Sequence, residues 1–419
     1  MNLNKLAILT TVFNHTNNPY FNKNWNRFKQ ELGELGCLNN LFVCEILPEK
    51  FSSQVNHIND QTYTINNSDQ IWHKECGINF LLKQISDSYT KILVLDNDIL
   101  FLDDQWIYDV YNMLDEYISV QPFDSVAYLL HDEHSIDYID TGMVKNTMQS
   151  YDFPNGNPGL AFAYNREYLE YNNGLYNSCL VGGGDMINIA PFFIHIDNIS
   201  NKIPNCVFRD EELKKQEYIE KCKNYILQNS LKPCNYLHNT AYHMFHGYRS
   251  DRQYNTRFNI INEFKASDTV IFDNDFYKVI DDDFHQLCIE FFQNRLSLKP
   301  ESEPTIICSC KYGADSSNVF WLNKQSVLYT YNIHKIKLTI NNKFQLQKYQ
   351  ILVNNINYNP TIDSDYIIIE ATAPQSIEIT CDKSISVPPD IRELCFFIES
   401  IDITDKEGQT VQYKLENIL

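Results

Sequence analysis

The sequence predicts an α/β protein, a doubly wound and mostly parallel sheet followed by an all-β C-terminal domain with a sandwich-like pattern. Three observations carry this expectation. Apolar runs of strand length alternate with segments of helical period through the first third of the chain. The segment Lys299-Pro300-Glu301-Ser302-Glu303-Pro304 disfavours both helix and central strand and reads as a linker. Beyond it, short stretches alternate apolar and polar residues between Asn, Asp and Pro turns. At 419 residues the chain also exceeds the size at which one core usually keeps growing.

The elements follow in order. Lys5–Phe13 is the first strand, and Trp25, Phe28, Leu32 and Leu35 recur at helical spacing before Gly36. Leu41–Leu47 is a second strand, Ile71–Ile85 a helix through Trp72, Cys76, Phe80 and Leu81, and Lys91–Leu95 a third strand. A helix through Trp106, Val110, Leu114 and Tyr117 comes next, with Asp103 or Asp104 placed to cap it. From about Ser125 the loops carry more Asn, Gly and Pro, as in Pro154-Asn155-Gly156-Asn157-Pro158-Gly159 and Gly182-Gly183-Gly184-Asp185, and this half is expected to hold binding loops. Helices over Asp210–Gln228 and Asp282–Leu296 close it. The expected division is 1–298 for the α/β domain, with a nucleotide-binding half at about 1–124 and an acceptor half at about 125–298. A linker at 299–304 and a β-rich domain at 305–419 follow, the latter with strands near Ile336–Ile340, Tyr366–Ala371, Ser376–Cys381 and Cys395–Ile403.

Charge and composition narrow the partners. Thirty-four Lys and Arg against 54 Asp and Glu give a net charge of −20 without a basic cluster, which excludes nucleic acid as an expected partner. The apolar stretch Leu6–Phe13 is too short to span a membrane and lacks the flanks of a signal peptide. The 12 Cys show no paired metal-site spacing and are expected as reduced thiols, which favours a cytoplasmic setting, the host cytoplasm or a virion if the source is viral. There is no Gly-x-x-x-x-Gly-Lys-Ser/Thr loop, no Gly-x-Ser-x-Gly elbow and no His-Glu-x-x-His motif.

The chemistry is expected where the strand Lys91–Leu95 runs out into Asp96-Asn97-Asp98, because ligands of open α/β sheets collect at the carboxyl ends of strands. Two carboxylates two residues apart can offer oxygens to Mg²⁺ or Mn²⁺; an isolated pair of this kind is more often a solvated, helix-capping turn. The surrounding motifs alter that balance. Gln70-Ile71-Trp72-His73-Lys74-Glu75, Asn79, Leu93 to Phe101, Trp106 and Gln121-Pro122-Phe123 occur in order, followed by Pro158-Gly159-Leu160-Ala161-Phe162-Ala163, Gly174-Leu175-Tyr176, Gly182-Gly183-Gly184-Asp185 and His246-Gly247 with Arg252, Tyr254 and Arg257. Together, over residues 5 to 270, they resemble GT-A-type glycosyltransferases with an Asp-x-Asp motif found in phages, large viruses and bacteria.

The resemblance implies that Asp96 and Asp98 address a metal and a nucleotide-sugar diphosphate, with Asn97 between them and His246 as a further ligand. His246 is preferred to His243 because Gly247 permits close backbone approach. Gly159, Gly183 and Gly184 are expected to pass close to the donor, and Asp185 to serve as the catalytic base, with helix capping and donor-sugar binding as its alternatives. Lys74, Arg249 and Arg252 are phosphate candidates, and Arg257 either binds phosphate or pairs with acidic neighbours. Thr10, Thr11 and Phe13, at the end of the first strand, suit a uridine pocket better than a triphosphate cradle. Asn157 and Tyr176 are candidate sugar contacts, whereas Trp72 and Trp106 are expected in the core.

The expected activity is metal-dependent transfer of a hexose from a nucleotide diphosphate sugar, UDP-linked, to a hydroxyl of a glycan, protein or lipid, with inversion slightly favoured over retention. The metal is Mn²⁺ or Mg²⁺. The alternatives are a nucleotidyltransferase and a non-catalytic carbohydrate-binding or virion-associated protein. The C-terminal domain carries no assigned motif and could bind glycan, join copies of the chain into a homo-oligomer or stabilise the catalytic domain.

Overall fold

The computed structural model describes residues 3–16, 18–48, 53–55, 61–130, 133, 136–151, 153–247 and 256–295, and beyond residue 304 the strands of the C-terminal region with residues 359 and 360. The expected linker 299–304 lies outside the described residues. Contacts divide the chain into two units, Met1–Phe21, Phe28–Tyr128 and Asp137–Ser297 in the first and Asn22–Arg27, Leu129–Ile136 and Leu298–Leu419 in the second.

The first unit begins with β1 (Leu6–Val12), α1 (Phe21–Glu34, of which Asn22–Arg27 are grouped with the second unit), β2 (Leu41–Leu47), β3 (Thr62–Asn66), α2 (Lys74–Gln84), β4 (Lys91–Leu95), β5 (Ile99–Phe101) and α3 (Trp106–Met113). It continues with β6 (Tyr117–Gln121), β7 (Ser125–Leu129), β8 (Ile136–Thr141), α4 (Met143–Ser150), β9 (Ala161–Asn165), α5 (Arg166–Tyr171), α6 (Gly184–Ile189) and α7 (Glu212–Gln228). Two strands, β10 (Lys232–Tyr236) and β11 (Thr240–His243), precede α8 (Ala266–Thr269), the hairpin of β12 (Val270–Asp273) with β13 (Phe276–Val279), and α9 (Asp282–Asn294).

Seven strands form the main sheet in the order β10-β6-β9-β4-β1-β2-β3, parallel except where β9 runs against β4 and β6. Every residue of β1, β2 and β4 is buried, as expected of parallel strands covered on both faces. Their apolar runs are therefore continuous rather than alternating. A second sheet, β5-β11-β7-β8, stands beside the carboxyl end of β4, with β8 at its edge.

Two expectations change. The helix expected to run through Tyr117 ends at Met113, and Tyr117 instead opens β6, because Asp115 and Glu116 turn the chain and Tyr117-Ile118-Ser119-Val120 is β-prone. Neither Asp103 nor Asp104 is the N-cap of α3; that residue is Gln105, whose amide donates to the Asp103 carboxylate at 2.9 Å. Trp106 is buried as expected, whereas Trp72 is half-buried in the segment ahead of α2.

In the second unit, strands run over Lys335–Asn341, Tyr366–Thr372, Ser376–Cys381 and Phe396–Thr404. They belong to two antiparallel sheets, of five and six strands.

Candidate metal and carboxylate site

The carboxyl end of β4 places Asp96 and Asp98 in two different environments. β5 begins one residue after Asp98 and pairs antiparallel with β11 in the register His243↔Ile99, and the Met244 amide donates to the Asp98 carbonyl at 2.8 Å. This ladder brings a histidine 145 residues away in sequence (243 − 98) alongside Asp98. Asp98 Oδ2 lies 2.9 Å from His246 Nε2 and 3.7 Å from His243 Nε2. One ligand atom from each of the three residues falls within 4.8 Å of the others. A carboxylate oxygen with two imidazole nitrogens fits a first-row divalent ion such as Mn²⁺ better than Mg²⁺, which prefers oxygen donors and retained water.

Asp96 faces the other way. Its Oδ1 is 2.9 Å from Lys74 Nζ, and the same ammonium lies 3.0 Å from Asp185 Oδ1. A lysine in the first turn of a helix opposes the helix dipole, by about 0.3–1 kcal/mol, so its carboxylate partners must hold it there. Burial alone would lower the Lys74 pKa, but Asp185, Asp96 and Glu75 outweigh it and raise it well above the usual lysine range. Asp96 is pushed upward by burial and by the like charges of Asp185 and Asp98, with Lys74 opposing. Glu75 is pushed upward as well, by burial and then by Asp185. One ammonium thus stands among three carboxyl groups.

The first turn of α2 is a bracket for this cluster. Thr11 Oγ1 donates to the Lys74 carbonyl at 2.9 Å, and Gly77 lets the helix press on Thr11, where a Cβ would fall 2.4 Å from Oγ1. Asn97 Nδ2 donates to the Thr11 carbonyl at 3.3 Å, tying the end of β4 to the end of β1. Thr10 and Thr11 are both buried. Phe13, half-buried, meets the rings of Trp72, His73, His15 and Phe292.

Two of the glycines expected near the donor pack against acids. A Cβ on Gly184 would lie 2.3 Å from Glu75 Oε1, and one on Gly159 would lie 2.6 Å from Asp185 Oδ2. Gly183 adopts φ +101°, a left-handed conformation that turns the chain into α6 and delivers Asp185 to Lys74. Lys74, Gly159, Leu160, Tyr164, Asp185 and Asn188 line one cleft. Asn157 holds the Gly159 loop: its Oδ1 accepts from the Gly159 amide at 3.0 Å and its Nδ2 donates to Tyr128 Oη at 2.5 Å.

Other sequence candidates are buried or lie outside the described residues. Tyr176 is buried, its amide bound to Asn188 Oδ1 at 2.8 Å. Arg257 is buried beneath the glycine loop, with Nη1 2.9 Å from where a Gly182 Cβ would be. Arg249 and Arg252 lie outside the described residues. The described cysteines are free, buried thiols. Sequence reasoning passed over Glu75, whose signal is an acid–base pair opening an otherwise apolar helix, and Tyr128, which is visible only through the parallel register His243↔Tyr128.

No family model and no curated protein matches the sequence. Among solved structures, similarity is found to the catalytic domain of Drosophila β1,4-galactosyltransferase 7 in complex with xylobiose, at 16% identity over 46% of this chain and 61% of that one, with a TM-score of 0.23. The chain thus spans less than two thirds of that domain. It is also similar to a 4-diphosphocytidyl-2C-methyl-D-erythritol synthase from Anaerococcus prevotii, at 9% identity over 57% of this chain and 88% of that one, TM-score 0.27. A third is the glycosyltransferase GlyE of Streptococcus pneumoniae, at 9% identity over 70% of this chain and 60% of that one, TM-score 0.24. No helix among the described residues is long and apolar enough to cross a membrane.

Proposed function

We propose that the chain is a metal-dependent glycosyltransferase that moves a hexose from a nucleotide diphosphate sugar, UDP-linked, to an acceptor hydroxyl. The observation that carries this reading is the split of Asp96-Asn97-Asp98 at the end of β4, Asp98 beside two histidines and Asp96 on the same ammonium as Asp185. Asp98, His243 and His246 would hold Mn²⁺. That ion supplies charge neutralisation for a departing diphosphate.

The chain's own groups account for the rest. Lys74 fixes the Asp185 carboxylate at the mouth of the cleft, its side chain one-third exposed and thus open to an acceptor. With inversion, Asp185 takes the acceptor proton as the new C–O bond forms and the bond to the diphosphate breaks, the leaving oxygen keeping the electron pair. Asp96 holds Lys74 from the opposite side, so the ammonium cannot follow Asp185 outward. Asn157 fixes the loop that closes over Asp185 at Gly159. The buried Thr11 is a strut under α2 in this reading rather than a direct donor contact.

The test is release of UDP from UDP-glucose and UDP-galactose. Wild-type protein is expected to hydrolyse at least one of them with Mn²⁺ and to stop with a chelator. Asp98→Asn should abolish this activity. Asp185→Asn should lower transfer to an acceptor by roughly 10²–10⁴-fold, the range for a general base. A protein that neither binds nor turns over any of a panel of sugar nucleotides with metal present would end the proposal.

A further inference from the structure

Two cysteines meet beneath the glycine loop that carries Asp185. Cys179 and Cys206 both lie outside helix and strand, 27 residues apart (206 − 179), with their Sγ atoms 3.8 Å from each other. Both are fully buried, while Asn205 beside Cys206 is exposed. Each holds part of the loop. The Gly182 amide donates to the Cys179 carbonyl at 3.0 Å, and Cys206 presses on Gly183, where a Cβ would fall 2.9 Å from the Cys206 Cβ. Gly184 and Asp185 follow directly as the first turn of α6. The two thiols are chemically unequal. The hydrogen bond from the Cys179 thiol lowers the Cys206 pKa, burial opposes it, and the cations of Lys215 and Arg257 add to the lowering. Burial above all raises the pKa of Cys179. An acidified thiol touching a second thiol is the arrangement in which a peroxide oxidises the first sulfur and the second resolves the product.

We propose that Cys179 and Cys206 form a peroxide-sensitive pair whose oxidation to a disulfide moves the glycine loop and carries Asp185 off Lys74. The Cys206 thiolate attacks one peroxide oxygen. The S–O bond forms, the O–O bond breaks, and hydroxide leaves with the electron pair and takes a proton from solvent. The Cys179 sulfur then attacks the sulfenic sulfur, and the oxygen departs as water with that electron pair and the Cys179 proton. One peroxide is thereby reduced to two waters as two thiols are oxidised to one disulfide. A disulfide holds its sulfurs about 2.05 Å apart, so the two segments must draw together, and Gly183, already hard against Cys206, must shift with them. The inference rests on the glycosyl-transfer reading only for what that shift does to turnover.

The test uses the full chain, reduced, then treated with hydrogen peroxide and cleared with catalase. One portion is alkylated with N-ethylmaleimide and digested for peptide mass spectrometry, which reads the linkage. Amide hydrogen exchange reads residues 182–189, and UDP release from UDP-glucose and UDP-galactose with Mn²⁺ reads turnover before and after oxidation. The expected result is a linked Cys179–Cys206 peptide and altered exchange over 182–189, both reversed by dithiothreitol. UDP release should fall by roughly 10- to 100-fold, the scale of a displacement of about 1 Å at a reacting group, and recover with the same reductant. Cys179→Ala and Cys206→Ala should each keep after peroxide the turnover they have before it. The wild-type linkage and its reversal need no variant to fold. No linked peptide in wild type, linkage that leaves exchange or turnover as it was, or equal loss of turnover in wild type and both variants overturns the pair. Linkage with altered exchange in a chain that releases no UDP even when reduced counts instead against the glycosyl-transfer reading alone.

Discussion

At the scale of single residues, the site is governed by an imbalance of charge. Lys74 is buried and shared by Asp96 and Asp185, with the Glu75 carboxyl behind it. Removing the ammonium leaves like charges facing each other in a partly dry cleft. Lys74→Met is therefore expected to destabilise the protein by about 1–3 kcal/mol in urea denaturation at pH 7, between the values for surface and fully buried ion pairs, since both aspartates are partly exposed. A change below about 0.5 kcal/mol would mean that the aspartates are already neutral or solvated. The sequence singles out Asp96, Asp98, His246 and Asp185 by residue type and order, and the structure brings Asp98 beside His246 and Asp96 and Asp185 onto one lysine. The sequence did not make legible how they divide. Sequence alone makes Lys74 a phosphate candidate or a solvated helical lysine, because its ion pairs depend on α2, β4 and α6 converging across 111 residues (185 − 74).

Among the elements, the first turn of α2 and the glycine loop carry the positioning. Gly184→Ala would put a methyl carbon 2.3 Å from Glu75 Oε1, so either the buried acid or the turn bearing Asp185 must shift. The expected cost is about 1–3 kcal/mol, as for overpacking a core, together with loss of donor turnover. Ahead of α2, His15 and His73 are buried with ring centroids 5.9 Å apart. Burial, then the neighbouring His73, pushes His15 down to about 3; burial pushes His73 down to about 4, opposed by the hydrogen bond its Nε2 donates to the Asp69 carbonyl. The unfolded chain takes up both protons below its value of 6.5 while the folded chain stays neutral, so stability is full above that pH and falls toward pH 4. At pH 5 the loss is on the order of 2 kcal/mol per histidine, and His15→Gln should flatten the slope measured by denaturation between pH 7 and pH 5. Strands such as Leu41–Leu47 and Lys91–Leu95 were readable because full burial makes them unbroken apolar runs. β8 was not, since an edge strand reading Ile-Asp-Tyr-Ile-Asp-Thr with both faces largely exposed has no apolar side to reveal it.

For the molecule as a whole, contacts group the chain into two units, each drawn from more than one stretch of sequence. The second unit takes in Asn22–Arg27 and Leu129–Ile136 as well as Leu298–Leu419. Within it Lys23 and Arg27 both pair with Glu133. The linker expected at 299–304 lies outside the described residues, and composition cannot show which short segments from distant parts of the chain are grouped with a unit. Truncation before residue 298 is accordingly expected to lower the melting temperature of what remains, and an unchanged value in scanning calorimetry would show the two short segments to be self-sufficient. The central claim concerns the end of β4, and calorimetric titration of Mn²⁺ into the full chain with UDP present tests it most directly. One ion per chain is predicted for wild type and for Asp96→Asn, with affinity reduced by at least the ~10–100-fold that loss of a supporting residue costs a metal centre in Asp98→Asn, His243→Ala and His246→Ala. Binding that survives those three substitutions, or that is lost in Asp96→Asn alone, would contradict it.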